Sequence, residues 1–299
     1  MKLAIRQNYA ILTGYGLCHS PWRKGLRMVR AAFVSFTVAA LMGSAGAAVA
    51  ASPIQPHRAL YSLALDHSQS GSGIVGAGGQ LYFEWADTCD GWAVEQRYKL
   101  RLSYTDADDS ELQISLVSWE AKNGQRYRFE VKKLSNGEAD EEIRGTAQLP
   151  KGKRGTARFT APESARFPLP KDALFPSAHT IALIEAAKAG QNFLVRPVFD
   201  GGSVEGASTV AAAIGQVRPG DSKEANPLLK GRSWAMRMAF FPDSTGVDPR
   251  TQGEELPDYE LGTDLLENGV SRSMSLDYGS FAVKAKLLKV EPLTAPKCS

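Results

Sequence analysis

Residues 81–104, LYFEWADTCDGWAVEQRYKLRLSY, alternate apolar and polar side chains with a period of two on both sides of a turn. Leu81, Phe83 and Trp85 alternate with Gln80, Tyr82 and Glu84. Beyond the turn Trp92, Val94, Tyr98, Leu100, Leu102 and Tyr104 alternate with Glu95, Arg97, Lys99, Arg101 and Ser103. Successive side chains of a strand point to opposite faces, so this pattern describes half-buried antiparallel strands with one wet face and one apolar face. Ala86 to Gly91, small and acidic, supplies the turn.

The same period runs through most of the chain beyond residue 56. Ala59, Tyr61, Leu63 and Leu65 share one face of a strand, as do Leu112, Ile114 and Leu116, and then Tyr127, Phe129 and Val131 after an Asn123-Gly124 hairpin turn. Residues 138–161 are polar and Gly-rich but still alternate, which predicts edge strands whose charges discourage aggregation. Further strands are expected over 193–198, 209–217, 234–241, 260–266, 274–278 and 281–288. Gly71-Ser72-Gly73-Ile74-Val75-Gly76 matches a dinucleotide-binding spacing, yet a strand and not a helix comes after it, so it is read as a flexible or bulged β segment.

One helix interrupts this pattern. Pro176-Ser177 gives a start with Ser177 as N-cap, Ala178 to Ala189 forms the body, and Gly190 is the stop. Its body is apolar nearly all round, so it is expected to be buried in the opening of a curved sheet. About thirteen strands without a βαβ repeat predict a mainly β protein, one large curved antiparallel sheet over residues 51–299 with one principal helix.

Residues 1–50 read as a targeting extension. They hold six bases (Lys2, Arg6, Arg23, Lys24, Arg27, Arg30) and no acid, with an apolar run over 31–42 and an Ala48-Val49-Ala50 cleavage signal. Met28 is a better start than Met1, giving a signal of 23 residues. The alternative is an uncleaved anchor, since the apolar run nears the length of a thin membrane span. Without the six bases, 29 basic residues face 32 acidic ones, so no basic face for nucleic acid is implied. After cleavage no membrane span is expected, and the chain is read as exported.

Export bears on the cysteines. Cys89, at the tip of the first long hairpin, and Cys298, next to last, are the two in the exported part. An oxidising compartment favours a structural disulfide; a metal pair or a redox pair are the alternatives, and neither C-x-x-C nor a short His spacing accompanies them. No metal or cofactor is expected. His179 in the first helical turn could act as a base with Asp200 or Asp90, although a first-turn histidine is commonly a structural residue. Gly201 to Gly206 misses a nucleophile elbow by one position.

His57-Arg58-Ala59-Leu60-Tyr61, the Cys89-Asp90-Gly91-Trp92 element with its late cysteine, and the segments from Pro176 to His179 and from Phe199 to Gly201 resemble the EipB family. So does the closing stretch from Asp277 to Leu287. The resemblance covers about residues 53–298, and the long N-terminal extension departs from it. It implies a periplasmic protein of cell-envelope integrity in alphaproteobacteria. The implied fold is a many-stranded β-spiral, a broken barrel with a helix, similar to the lipoprotein carriers LolA and LolB. It also implies a disulfide on Cys89 and Cys298 and a tetratricopeptide-repeat protein as partner, and it offers no catalytic residues.

Two function classes are open to such a chain. In one, a non-enzymatic envelope factor binds a lipid, a lipoprotein or a partner protein on the concave sheet, which Trp85, Trp92, Phe129, Trp234, Met236, Met238 and Phe240 would line. Those same residues would otherwise be ordinary core. In the other, the protein hydrolyses an envelope polymer through His179 with Asp200 or Asp90. A polarised carboxylate–histidine pair in a pocket would mark the enzyme; a deep, dry groove would mark the carrier.

Overall fold

The computed structural model describes residues 54–242 and 256–298. The targeting segment, its cleavage site and Met28 lie outside the described residues. Among the described residues no helix is long and apolar enough to cross a membrane.

Fourteen strands among the described residues form one sheet. The first eight are β1 (His57–Ser68), β2 (Ile74–Asp87), β3 (Gly91–Tyr104), β4 (Ser110–Ala121), β5 (Arg126–Ser135), β6 (Glu138–Gln148), β7 (Gly155–Ala161) and β8 (Ala165–Leu169). A helix, α1 (Pro176–Lys188), separates them from β9 (Phe193–Val198), β10 (Ser208–Arg218), β11 (Ser233–Phe241), β12 (Tyr259–Leu266), β13 (Ser271–Asp277) and β14 (Phe281–Pro292). Every strand pair is antiparallel, and each pair but one joins strands consecutive in sequence. The exception is the pairing of β1 with β14, from His57 opposite Pro292 to Ser68 opposite Phe281. The sheet therefore joins first strand to last in its middle and has its two edges at β8 and β9, which are consecutive in the chain.

The curled sheet does not close. Across the gap, Leu174 donates its amide to Pro197 O and accepts from the amide of Phe199, both at 2.9 Å. Each edge strand contains a proline, Pro168 and Pro197, which has no N–H to offer a neighbour. The strand absent from the sequence expectation is β8, whose five residues include that proline. Residues 138–161 are not edges: β6 and β7 each have partners on both sides. Glu142, which pairs with Arg144, lies on the wet outer face, while Ile143 and Ala147 face inward; Glu141 shares the parity of Ile143 and is neutralised by Lys133 opposite it.

The hairpin of β2 and β3 turns at Thr88-Cys89-Asp90. Cys89 adopts the left-handed φ of 66°, unusual for a residue with a Cβ, and Asp87 Oδ1 accepts its amide at 2.7 Å. Helix α1 starts differently from the sequence expectation. Phe175 is the N-cap and Ser177 lies inside the helix, its side chain capping nothing. The free amides of Ser177 and Ala178 donate instead to the Glu120 carboxylate of β4, at 2.7 and 2.9 Å. A buried acid from another strand thus does what a local cap would do, and it fixes the helix to the sheet. Gly190, at φ 75°, ends the helix, and Leu183 and Ile184 are fully buried.

Candidate functional site

Cross-strand register brings the inward residues of β1 to β4 into rows. His57, Trp85, Val94 and Ser118 share one level; Ala59, Phe83, Gln96 and Leu116 the next; Tyr61, Leu81, Tyr98 and Ile114 the third. Facing them are Met238 and Phe240 of β11, Leu261, Thr263 and Leu265 of β12, and Met274 and Leu276 of β13, with His179 and Leu183 of α1 at one end. Together they line a cavity of about 430 Å³. That lies in the range of small-molecule sites, roughly 300–1,000 Å³. Among the described residues its lining is mostly apolar and includes no lysine or arginine; its one carboxylate is Asp200.

Several polar atoms on this wall have no hydrogen-bond partner among the described residues. His57 is fully buried, and its Nδ1 lies 2.8 Å from Gln55 O. A carbonyl only accepts, so Nδ1 carries the proton and Nε2 is left as an acceptor without a partner. Burial lowers the pKa of this ring, with the Gln55 carbonyl acting weakly against it. The indole Nε1–H of Trp85 is a buried donor, also unpartnered. The Tyr98 hydroxyl lies near that of Tyr278 without meeting hydrogen-bond geometry, and burial raises its pKa.

His179 is the fourth such group. Desolvation, aided by the charge of Arg196, brings it down to about 4, so the ring is neutral at ordinary pH, and its Nε2 is unpartnered. No hydrogen bond or ion pair among the described residues joins it to Asp200, whose Oδ1 accepts from the Gly202 amide at 2.8 Å. Asp90 is exposed in the hairpin turn and does not line the cavity. Glu120, beside the cavity under α1, is pushed up to about 7 by burial, against the two helix amides that favour its charge. Among the described residues no group of three or more His, Cys, Asp or Glu could hold a metal ion.

Of the residues expected to line the concave face, Trp85, Met238 and Phe240 do so. Trp92, Trp234 and Met236 share the buried cluster of Trp85 and Met238 but do not line the cavity, and Phe129 belongs to an aromatic stack elsewhere. Lining is the coarse assignment; these four fill space because their neighbours reach them, with Trp92 edge-on to Trp85 at 6.0 Å and Phe129 5.5 Å from Phe199. The sequence reading missed His57, Tyr98 and Glu120. Parity was the available signal: His57 shares the face of Ala59 and Tyr61, and Glu120 that of Ile114 and Leu116. Cys89 and Cys298 are joined, with S–S 2.11 Å and Cα–Cα 5.6 Å, so the chain end lies against the β2–β3 tip.

An unclosed antiparallel sheet with one principal helix and a mostly apolar cavity on its inner face defines a class of barrel-like folds. The EipB-like family model matches residues 48–294, and the chain belongs to that family. It is 32% identical over 275 residues to the cell envelope integrity protein EipB of Brucella abortus (strain 2308), covering 89% of this chain and 95% of that protein. It is also similar to the crystal structure of a beta-barrel-like protein of a domain of unknown function, DUF1849, from Brucella abortus. There the TM-score is 0.72 and the identity 28%, over 81% of this chain and 99% of that one.

Proposed function

We propose that the protein is a non-catalytic periplasmic factor of cell-envelope integrity that holds a lipidic ligand within its curved sheet. The observation that carries this reading is the cavity, about 430 Å³, walled mostly by aliphatic and aromatic side chains and without a lysine or arginine among the described residues. Such a chamber favours apolar matter by desolvation, at about 25 cal/mol per Å² of apolar surface removed from water. The family relative named for envelope integrity supports the cellular role, and the acid-free, Ala-rich N-terminus supports export. Hydrolysis would need a base oriented by a carboxylate; His179 is neutral, has no partner at Nε2 among the described residues and makes no bond to Asp200.

Native mass spectrometry of the protein purified from its own periplasm tests this. A single lipid species retained by each chain, lost on Met238→Trp, supports the reading; a clean apoprotein mass with no lipid in the solvent extract sinks it. The same spectra report a tetratricopeptide-repeat partner, should the protein leave the periplasm bound to one.

A further inference from the structure

The chamber wall specifies the polar part of its ligand. His57 and Trp85 are direct cross-strand partners on β1 and β2, so their side chains stand next to one another on the inner face. Phe83 links them, with ring centroids 5.6 Å from His57 and 6.3 Å from Trp85. Their relative exposures are 0% and 3%. The Gln55 carbonyl fixes the His57 tautomer, so Nε2 can only accept, whereas indole Nε1–H can only donate. Both atoms are without a partner among the described residues. The two orphans lie on adjacent strands, each with under 1 Å² of accessible surface, so a partner reaches them by displacing the side chains that cover them; left unpaired they cost about 1–3 kcal/mol each.

We infer that the cavity binds an uncharged, hydroxyl-bearing alkyl amphiphile whose buried hydroxyl accepts from Trp85 Nε1–H and donates to His57 Nε2. A hydroxyl has both capacities in one atom group. A carboxylate or phosphate lacks the proton that His57 Nε2 requires and finds no cation in the lining. An ammonium lacks the acceptor that Trp85 requires. Burying either ion unpaired costs far more than burying an alcohol. At about 30 Å³ per water-sized group, the chamber has room for on the order of fourteen, enough for a hydroxyl and a medium alkyl chain. This inference rests on the lipidic reading above and adds the chemistry of the head group.

The test is calorimetric titration at pH 7.5 of the mature full-length protein, stripped over a hydrophobic resin, with three probes of equal chain length: 1-dodecanol, dodecanoate and dodecylammonium. Binding of dodecanol at one per chain, at least about tenfold tighter than either ion, is expected. Trp85→Phe, which keeps a ring but removes the N–H, and His57→Phe should each weaken dodecanol several-fold and narrow its lead over the ions. Equal affinities for all three probes in the wild-type protein would overturn the inference while leaving a lipid chamber standing, as would a preference for either ion. No binding of any probe would overturn both. Should a variant fail to fold, the wild-type ranking alone decides.

Discussion

Two halves of one inner surface have been filled in opposite ways. Around β5 to β8 the rings meet across the interior: Tyr127 stacks on Phe175 at 5.0 Å, Phe129 meets Phe199 at 5.5 Å and Phe159 at 5.4 Å. The fit leaves no slack, because a Cβ on Gly201, itself at φ 72°, would come within 2.5 Å of the Phe129 ring. The half walled by β1 to β4 and β11 to β13 is also rich in rings, yet they contact neighbours on their own wall. Phe83 meets Trp85 along β2, and Phe240 stacks on Tyr259 of the adjacent strand at 4.3 Å. The two walls stand apart, and the cavity is the space between them. Alternation decides which face a side chain joins; wall separation decides whether it fills a core or lines a chamber.

The largest expected effect tests whether the halves are secured independently. Cys89→Ser, Cys298→Ser and the double variant should each lose the same stability, up to about 5 kcal/mol for a loop of this length. Hydrogen exchange should quicken over residues 290–298 and at the β2–β3 tip while β5 to β7 stay protected; uniform loosening would show the halves to be one unit. Next, Phe199→Ala in the filled half should cost about 3–5 kcal/mol in urea unfolding, as expected for a fully packed ring. Phe240→Ala on the cavity wall should cost clearly less, since one side of that ring already lacks neighbours; equal losses would erase the contrast.

The boundary between the halves is where α1 meets Glu120 and His179, and there the pH dependence has two opposing parts. His179, at about 4 when folded against 6.5 unfolded, contributes stability present above pH 6.5 and lost as pH falls through 4. Glu120, at about 7 when folded against 4.5 unfolded, contributes stability present below pH 4.5 and lost as pH rises through 7. Each spans about 3 kcal/mol, and between pH 4.5 and 6.5 they oppose one another. Glu120→Gln should therefore steepen the rise of stability with pH in that window, with the lowered His57 adding to the same slope, and His179→Gln should flatten it. Parallel curves for all three proteins, monitored by thermal unfolding, would refute the assignment.

The smallest effects come from adding volume. Ala157→Leu, in the filled half with no exposed surface, should cost about 1–3 kcal/mol. Leu116→Phe, on the cavity lining, should change stability by less than about 1 kcal/mol because the added ring has room. A comparable penalty at both would mean that the chamber collapses in solution.

Much of this architecture is written locally. Strand faces come from period two, and the helix from its apolar body and Gly190. The features that escaped are those set by distant partners. Ser177 looked like the cap because it occupies the right position, but the helix starts two residues earlier at Phe175, and the amides of Ser177 itself and of Ala178 are taken by Glu120, 57 and 58 residues earlier. β8 escaped because an edge strand of five residues with a proline has too few periods to declare itself. Trp92 and Trp85 alternate identically in the sequence and are buried in one cluster, and only the folded chain shows that Trp85 also lines the cavity. His57 needed its neighbours' parity, and its meaning needed Gln55 O, which no residue pattern reveals.

The pairing of β1 with β14 has a kinetic consequence. Arg58 meets Glu291 across 233 positions, so a chain delivered N-terminus first must hold β1 with one edge unoccupied until the last strand has emerged. Hairpins β2–β8 and β9–β13 can assemble from neighbours as they arrive, whereas the seam cannot. During that interval Ala59, Tyr61 and Leu63 sit on an unfinished edge, the kind of surface that recruits foreign strands. Any attendant chaperone therefore has one particular strand to guard, and its work ends when β14 takes that place.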